Sequence, residues 1–208
     1  MEGEDSSGSG VNYLVGKTAG KSGIIAAFVA THVATIFGLW FYGARLPKFD
    51  FPTLNGYIYL GVPFGFQHPD IAFAVGGVMH YIDGILFGLI FAIVVSPMMG
   101  RVVPALAPMT PTVNYVKGLI WGWTLWIISS ALWMPLLIGP ILSPAFPAGF
   151  GVNVGPFLTS FGPYGVQALL ANLLWHTIWG ANLGLVFSPR PASGGARSWA
   201  RATAAEMR

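Results

Sequence analysis

His80-Tyr81-Ile82-Asp83-Gly84-Ile85-Leu86-Phe87-Gly88-Leu89-Ile90-Phe91 and His176-Thr177-Ile178-Trp179-Gly180-Ala181-Asn182-Leu183-Gly184-Leu185-Val186-Phe187 share one pattern, His-x-x-x-Gly-x-x-x-Gly followed by three apolar residues, at a constant offset of 96. Both stretches are apolar enough to lie in a bilayer, so the recurrence implies a duplicated membrane unit. It also puts two histidines at equivalent depths.

Composition agrees with that reading. Of 208 residues, 54% are hydrophobic and only 8% charged, where a soluble domain carries about 25% charged residues. Long apolar stretches at 24–42, 71–95, 118–138 and 166–187 each approach the ~20 residues that cross ~30 Å of hydrocarbon. They lack the polar outer faces that helices of a soluble bundle would need. The chain has no cysteine, which excludes disulfides, thiolate ligation and iron–sulfur clusters. The acidic, glycine- and serine-rich start, Met1 to Gly10, contains no basic-then-apolar signal and is expected to be flexible.

The repeat extends further. Gly23-Ile24-Ile25 recurs as Gly118-Leu119-Ile120, Leu39-Trp40 as Leu132-Trp133, and Phe51-Pro52 as Phe146-Pro147. The expected fold is therefore an all-α membrane protein, with four transmembrane helices arranged as two tandem parallel-repeat hairpins about a pseudo-two-fold along the membrane normal. The boundaries are a cytoplasmic segment 1–22, a first hairpin 23–95 with an extracytoplasmic loop 44–70, and a cytoplasmic connector 96–117. A second hairpin 118–187 with a loop 139–164 and a basic cytoplasmic tail 188–208 complete the chain. Orientation follows from the basic residues. Lys17, Lys21, Arg101, Lys117, Arg190, Arg197, Arg201 and Arg208 fall on one side and only Arg45 and Lys48 on the other, which places both termini in the cytoplasm of a bacterial inner membrane. The basic tail calls for anionic lipid, not nucleic acid. Both long loops are rich in Gly, Pro and Phe and read as structureless caps or docking surfaces. The proline-broken connector 97–114 reads as non-helical.

Helical spacing lines up His80, Asp83, Gly84, Phe87 and Gly88 on one side of the second span, and Asn172, His176, Trp179, Gly180 and Gly184 on one side of the fourth. One reading is packing: Gly84, Gly88, Gly180 and Gly184 let the two hairpins approach about the pseudo-two-fold, and the histidines bond neighbouring carbonyls or hydroxyls. Ala92 is then expected on the opposite face. A second reading makes His80 and His176 axial ligands of a haem b, with the glycines making room for the macrocycle. A third builds a metal site from His32, His80, His176 and Asp83, and a fourth a proton or ion path through Asp83 and His80. His68 precedes Pro69 and Asp70, a helix-start signature. No soluble-type catalytic motif is present.

The His-x-x-x-Gly-x-x-x-Gly helix, Gly118-Leu119-Ile120-Trp121-Gly122-Trp123, Trp133-Met134-Pro135 and the closing Gly184-Leu185-Val186-Phe187 resemble a group of small, uncharacterised bacterial four-helix integral membrane proteins. The resemblance covers 71–187 and implies a four-span architecture with no reaction attached; the loops here are longer. The expected function is a non-catalytic accessory subunit of a larger membrane complex, respiratory or otherwise redox, that meets other membrane subunits and lipid and requires no cofactor. The alternatives are a bis-histidine haem b electron carrier and a small transporter or channel.

Overall fold

The computed structural model describes residues 7–48, 50–138 and 166–189, and every regular element among them is helical. The expected loop 139–164 and the tail beyond 189 lie outside the described residues. Helix α1 spans Ser7–Trp40 and closes in a 3₁₀ turn, Phe41–Ala44, capped by Arg45 in the left-handed region at φ 60. Short helices α2 (Phe51–Leu60) and α3 (Val62–Gln67) follow. Next comes α4 (Pro69–Ile90), continuous through a π turn at Phe91–Val95 with α5 (Ser96–Val102). A 3₁₀ turn at Pro104–Leu106 precedes α6 (Pro111–Ile128), which runs on as a π-helical stretch, Ser129–Ile138, around the internal Pro135. The last described helix, α7, is Val166–Val186.

Four of these helices are long and apolar enough to cross a membrane: Thr18–Ala44, Pro69–Val102, Pro111–Leu136 and Val166–Val186. Their midpoints fall near Thr31, Ile85, Trp123 and His176. Direct contacts join that level, because Gly84 lies on Thr31, Trp123 bonds Thr177 and Trp179 bonds Thr31.

Two expectations about the connecting segments are corrected, and one about the N-terminal stretch. Segment 44–70 is not structureless, since α2 and α3 occupy it, and connector 97–114 contains α5 and the first turn of α6. The reason is the position of the prolines. Pro52, Pro63, Pro69, Pro97 and Pro111 each sit in the first turn of a helix, where the missing N–H has no helical partner to lose and the fixed φ suits the helix. Caps complete the starts: Asp50 Oδ1 accepts from Thr53 N at 3.1 Å, and Thr110 Oγ1 from Val113 N at 3.3 Å. At the N-terminus the helix already runs from Ser7. Extending a helix that the span has nucleated adds one hydrogen bond per residue without a second nucleation cost.

The helices pack as a row, α2 on α4, α4 on α1, α1 on α7 and α7 on α6. The centre of the row is α1, whose Ala26, Ala27, Ala30 and Ala34 are fully buried. The glycines serve seams within each hairpin and not, as expected, the contact between hairpins. A Cβ at Gly88 would meet Ala27 and one at Gly84 would meet Thr31, both on α1. Gly180 lies on Gly118 and Gly122, and Gly184 on Asn114 and Tyr115, all on α6. Ala92 is on the packed face, not the opposite one, because it continues the four-residue spacing from Gly88 and meets Gly23. Phe87, by contrast, is exposed, and the buried stripe of α4 is Ala72, Gly76, His80, Gly84 and Gly88. Its upper part receives α2, with Gly76 under the Pro52 carbonyl and Gly56 on Ala72.

The hairpins meet along α1 and α7. The seam that a pseudo-two-fold would make equivalent, α4 with α6, is short: the π turn and α5 reach α6, and Trp121 Nε1 donates to the Phe87 carbonyl at 3.2 Å.

Candidate functional site

One group of buried polar side chains gathers around the mid-level of α1. Thr35 Oγ1 donates to the Thr31 carbonyl at 2.6 Å, which uses its single proton. The 2.8 Å contact between Thr35 Oγ1 and His80 Nε2 therefore has the imidazole as donor. Trp179 of α7 donates to Thr31 Oγ1 at 3.0 Å. Thr31 and Thr35 thus fasten α4 and α7 to α1, and Phe51 of α2 stacks on His80 with ring centroids 5.6 Å apart.

In the second hairpin, His176 Nδ1 lies 2.9 Å from the Asn172 carbonyl, to which it can only donate. Asn172 Nδ2 donates to Ser130 Oγ at 3.1 Å. Trp175 lies between the two histidines, its ring 5.7 Å from that of His80 and 5.1 Å from that of His176. In their neutral forms the imidazoles are opposite tautomers. His80 keeps a bare Nδ1 and His176 a bare Nε2.

The other expected site residues lie elsewhere. His32 is exposed on the outside of α1, where its Nδ1 is 2.6 Å from the Tyr81 hydroxyl beside Phe28. Asp83 is half-buried on the α2 side and accepts from Asn55 Nδ2 at 3.3 Å. Partial burial and then the Asp83 carboxylate raise the pKa of the Tyr59 phenol, which lies outside the spans. His68 caps the start of α4, its carbonyl accepting from Ala72 N at 2.9 Å.

The metal constellation is not assembled, since among the described residues no three His, Asp or Glu side chains come together as ligands. His32 faces outward while His80 and His176 face the interior. A haem does not fit either. The space beside Gly84, Gly88, Gly180 and Gly184 is filled by neighbouring helices, and Trp175 packs against both imidazoles.

Reading the sequence missed Thr35, Trp175 and Lys117. The repeat itself held a signal for the first, since Thr35 aligns with Ser130 at the offset of 95 that relates Gly23 to Gly118. Lys117, counted in the sequence among the basic residues that set orientation, is fully buried, one turn from Asn114. Its Nζ lies 3.4 Å from Ser96 Oγ and 3.5 Å from the Pro108 carbonyl. The turn at Pro104–Leu106 folds the connector back over it, a tertiary event with no local signature. Comparison with family models, curated sequences and solved structures returns no match to this chain.

Proposed function

We propose that this chain is a multi-pass membrane protein of the bacterial inner membrane, built from two tandem hairpins with both termini cytoplasmic, that serves as a non-catalytic accessory subunit of a larger membrane complex. Matched contacts support the duplication: Gly23 lies against Gly88 in the first hairpin as Gly118 lies against Gly184 in the second. The interior supports a structural role, because its histidines, threonines and tryptophans tie helices together.

The observation that carries the subunit reading is the His32–Tyr81 pair. It is adjacent to Thr31, the midpoint of its span, yet its imidazole faces outward. A polar group there is costly against acyl chains, which offer no hydrogen bond, and is served by a neighbouring protein helix. Around it the outer face is apolar, with Phe28, Ile25 and Ile36 about half exposed, as a helix–helix contact in the bilayer requires.

The test is the composition of a gently solubilised native complex, with and without His32→Leu. The expected result is a stoichiometric membrane subunit that is lost or weakened in the variant while the chain itself stays folded. Migration as a single chain with lipid, unchanged by His32→Leu, would overturn the reading.

A further inference from the structure

Among the described residues four buried side-chain polar atoms have no hydrogen-bond partner, all on α6 and α7: Asn114 Oδ1, at the end of α6 beside Phe187, and Trp126 Nε1, Asn172 Oδ1 and Trp175 Nε1. The last three fall in one layer of the bundle. Asn172 is bonded to Ser130 and to His176. Trp126 lies one turn from Ser130 and one turn from Gly122, which abuts the His176 carbonyl. Trp175 touches both histidine rings. To this layer the neutral histidines add the two ring nitrogens that their bonds to Thr35 and to the Asn172 carbonyl leave unused, His80 Nδ1 and His176 Nε2. Asn172 is fully buried, and Trp175, His80 and His176 are each more than nine-tenths buried.

The chemistry of this set selects its ligand. Two indole N–H groups require an acceptor, whereas an amide oxygen and two imidazole lone pairs require a donor. A metal cation would be repelled by the N–H groups and an anion by the oxygen and lone pairs. An apolar molecule would leave all of them unpaired, at the cost that makes such groups rare in protein interiors. A molecule that donates and accepts, and is small enough for a packed helical seam, satisfies both. We propose that this layer is a buried hydration site, with one or two water molecules held by Trp126, Asn172 and Trp175 and shared with His80 and His176. Buried waters of this kind make about three hydrogen bonds each and belong to the fold. Their presence puts the two histidines in proton exchange with water inside the bundle. This inference does not depend on the accessory-subunit reading.

The test is proton-detected solid-state NMR of the full chain, labelled with ¹⁵N and ¹³C, in lipid bilayers. Indole signals are assigned through the backbone, so no variant has to fold, and magnetisation transfer from water to each indole proton is measured. Trp126 and Trp175 are expected to receive water magnetisation several-fold faster than Trp179, whose N–H is bonded to Thr31. Build-up at Trp126 and Trp175 no faster than at Trp179 would overturn the proposal. Asn172→Leu, which removes the amide acceptor, should slow transfer at Trp175. Should it fail to assemble, the wild-type comparison decides alone.

Discussion

At Thr35 one hydroxyl carries two jobs, donating to Thr31 and accepting from His80. Thr35→Val keeps the shape but leaves the His80 N–H unpaired, which costs about 1–3 kcal/mol for a buried donor. Interhelical bonds in membranes average nearer ~0.6 kcal/mol, so the expected loss is about 1 kcal/mol, with Thr35→Ser close to wild type. Thermal unfolding in detergent checks both. For the same reason His80→Gln and His176→Gln should each retain the fold at a cost of order 1 kcal/mol, since an amide can still donate where each imidazole donates. Loss of all assembly in both variants would give the histidines a role beyond these bonds.

Among the elements, the two glycine seams differ in what they press against, and that difference sets the order of damage. A Cβ at Gly180 meets the backbone of Gly118 and Gly122, whereas one at Gly84 meets the Thr31 side chain. Backbone cannot rotate away, so Gly180→Ala should be worse than Gly84→Ala, each within the ~1–3 kcal/mol typical of overpacking. Leucine at either position should block assembly. Val78→Leu, on an outward face 62% exposed, is the control expected to be silent. Equal effects of all three would remove the argument. Gly76 offers a second measurement, because its Cβ would collide with the Pro52 carbonyl. Gly76→Leu should push α2 off α4 and raise hydrogen exchange across Phe51–Leu60 while α1 stays protected.

For the whole molecule, topology is the decisive expectation, and the cysteine-free sequence makes it simple to examine. With cytoplasmic termini, Tyr59→Cys should react with an impermeant thiol reagent on intact spheroplasts, and Ala105→Cys only after permeabilisation. Both positions are exposed. The reverse pattern would invert the orientation. Among the described residues the row-like packing leaves α6 the least enclosed of the four long helices, with 22% of its apolar window buried.

What the sequence determined by itself is whatever rests on local periodicity and composition: four apolar helices, and the four-residue stripes through Gly84, Gly88, Gly180 and Gly184 that allow close approach. Solvent preference and helical spacing are properties of each segment alone. The prolines of 44–70 and 97–114 carry no such local signature, because a proline that breaks a helix and one that begins it look alike until the preceding cap is in place. Tertiary structure decided which stripe meets which. The glycines close each hairpin instead of joining the two, and α2 takes the flank of α4, so the α1–α7 seam is long and α4–α6 short. It also decided that Thr35 receives His80, that Trp175 stands between the histidines, that His32 turns outward and that Lys117 is buried. Each depends on the rotation of one helix against another, a quantity set by packing between residues distant in the chain and written in no single segment.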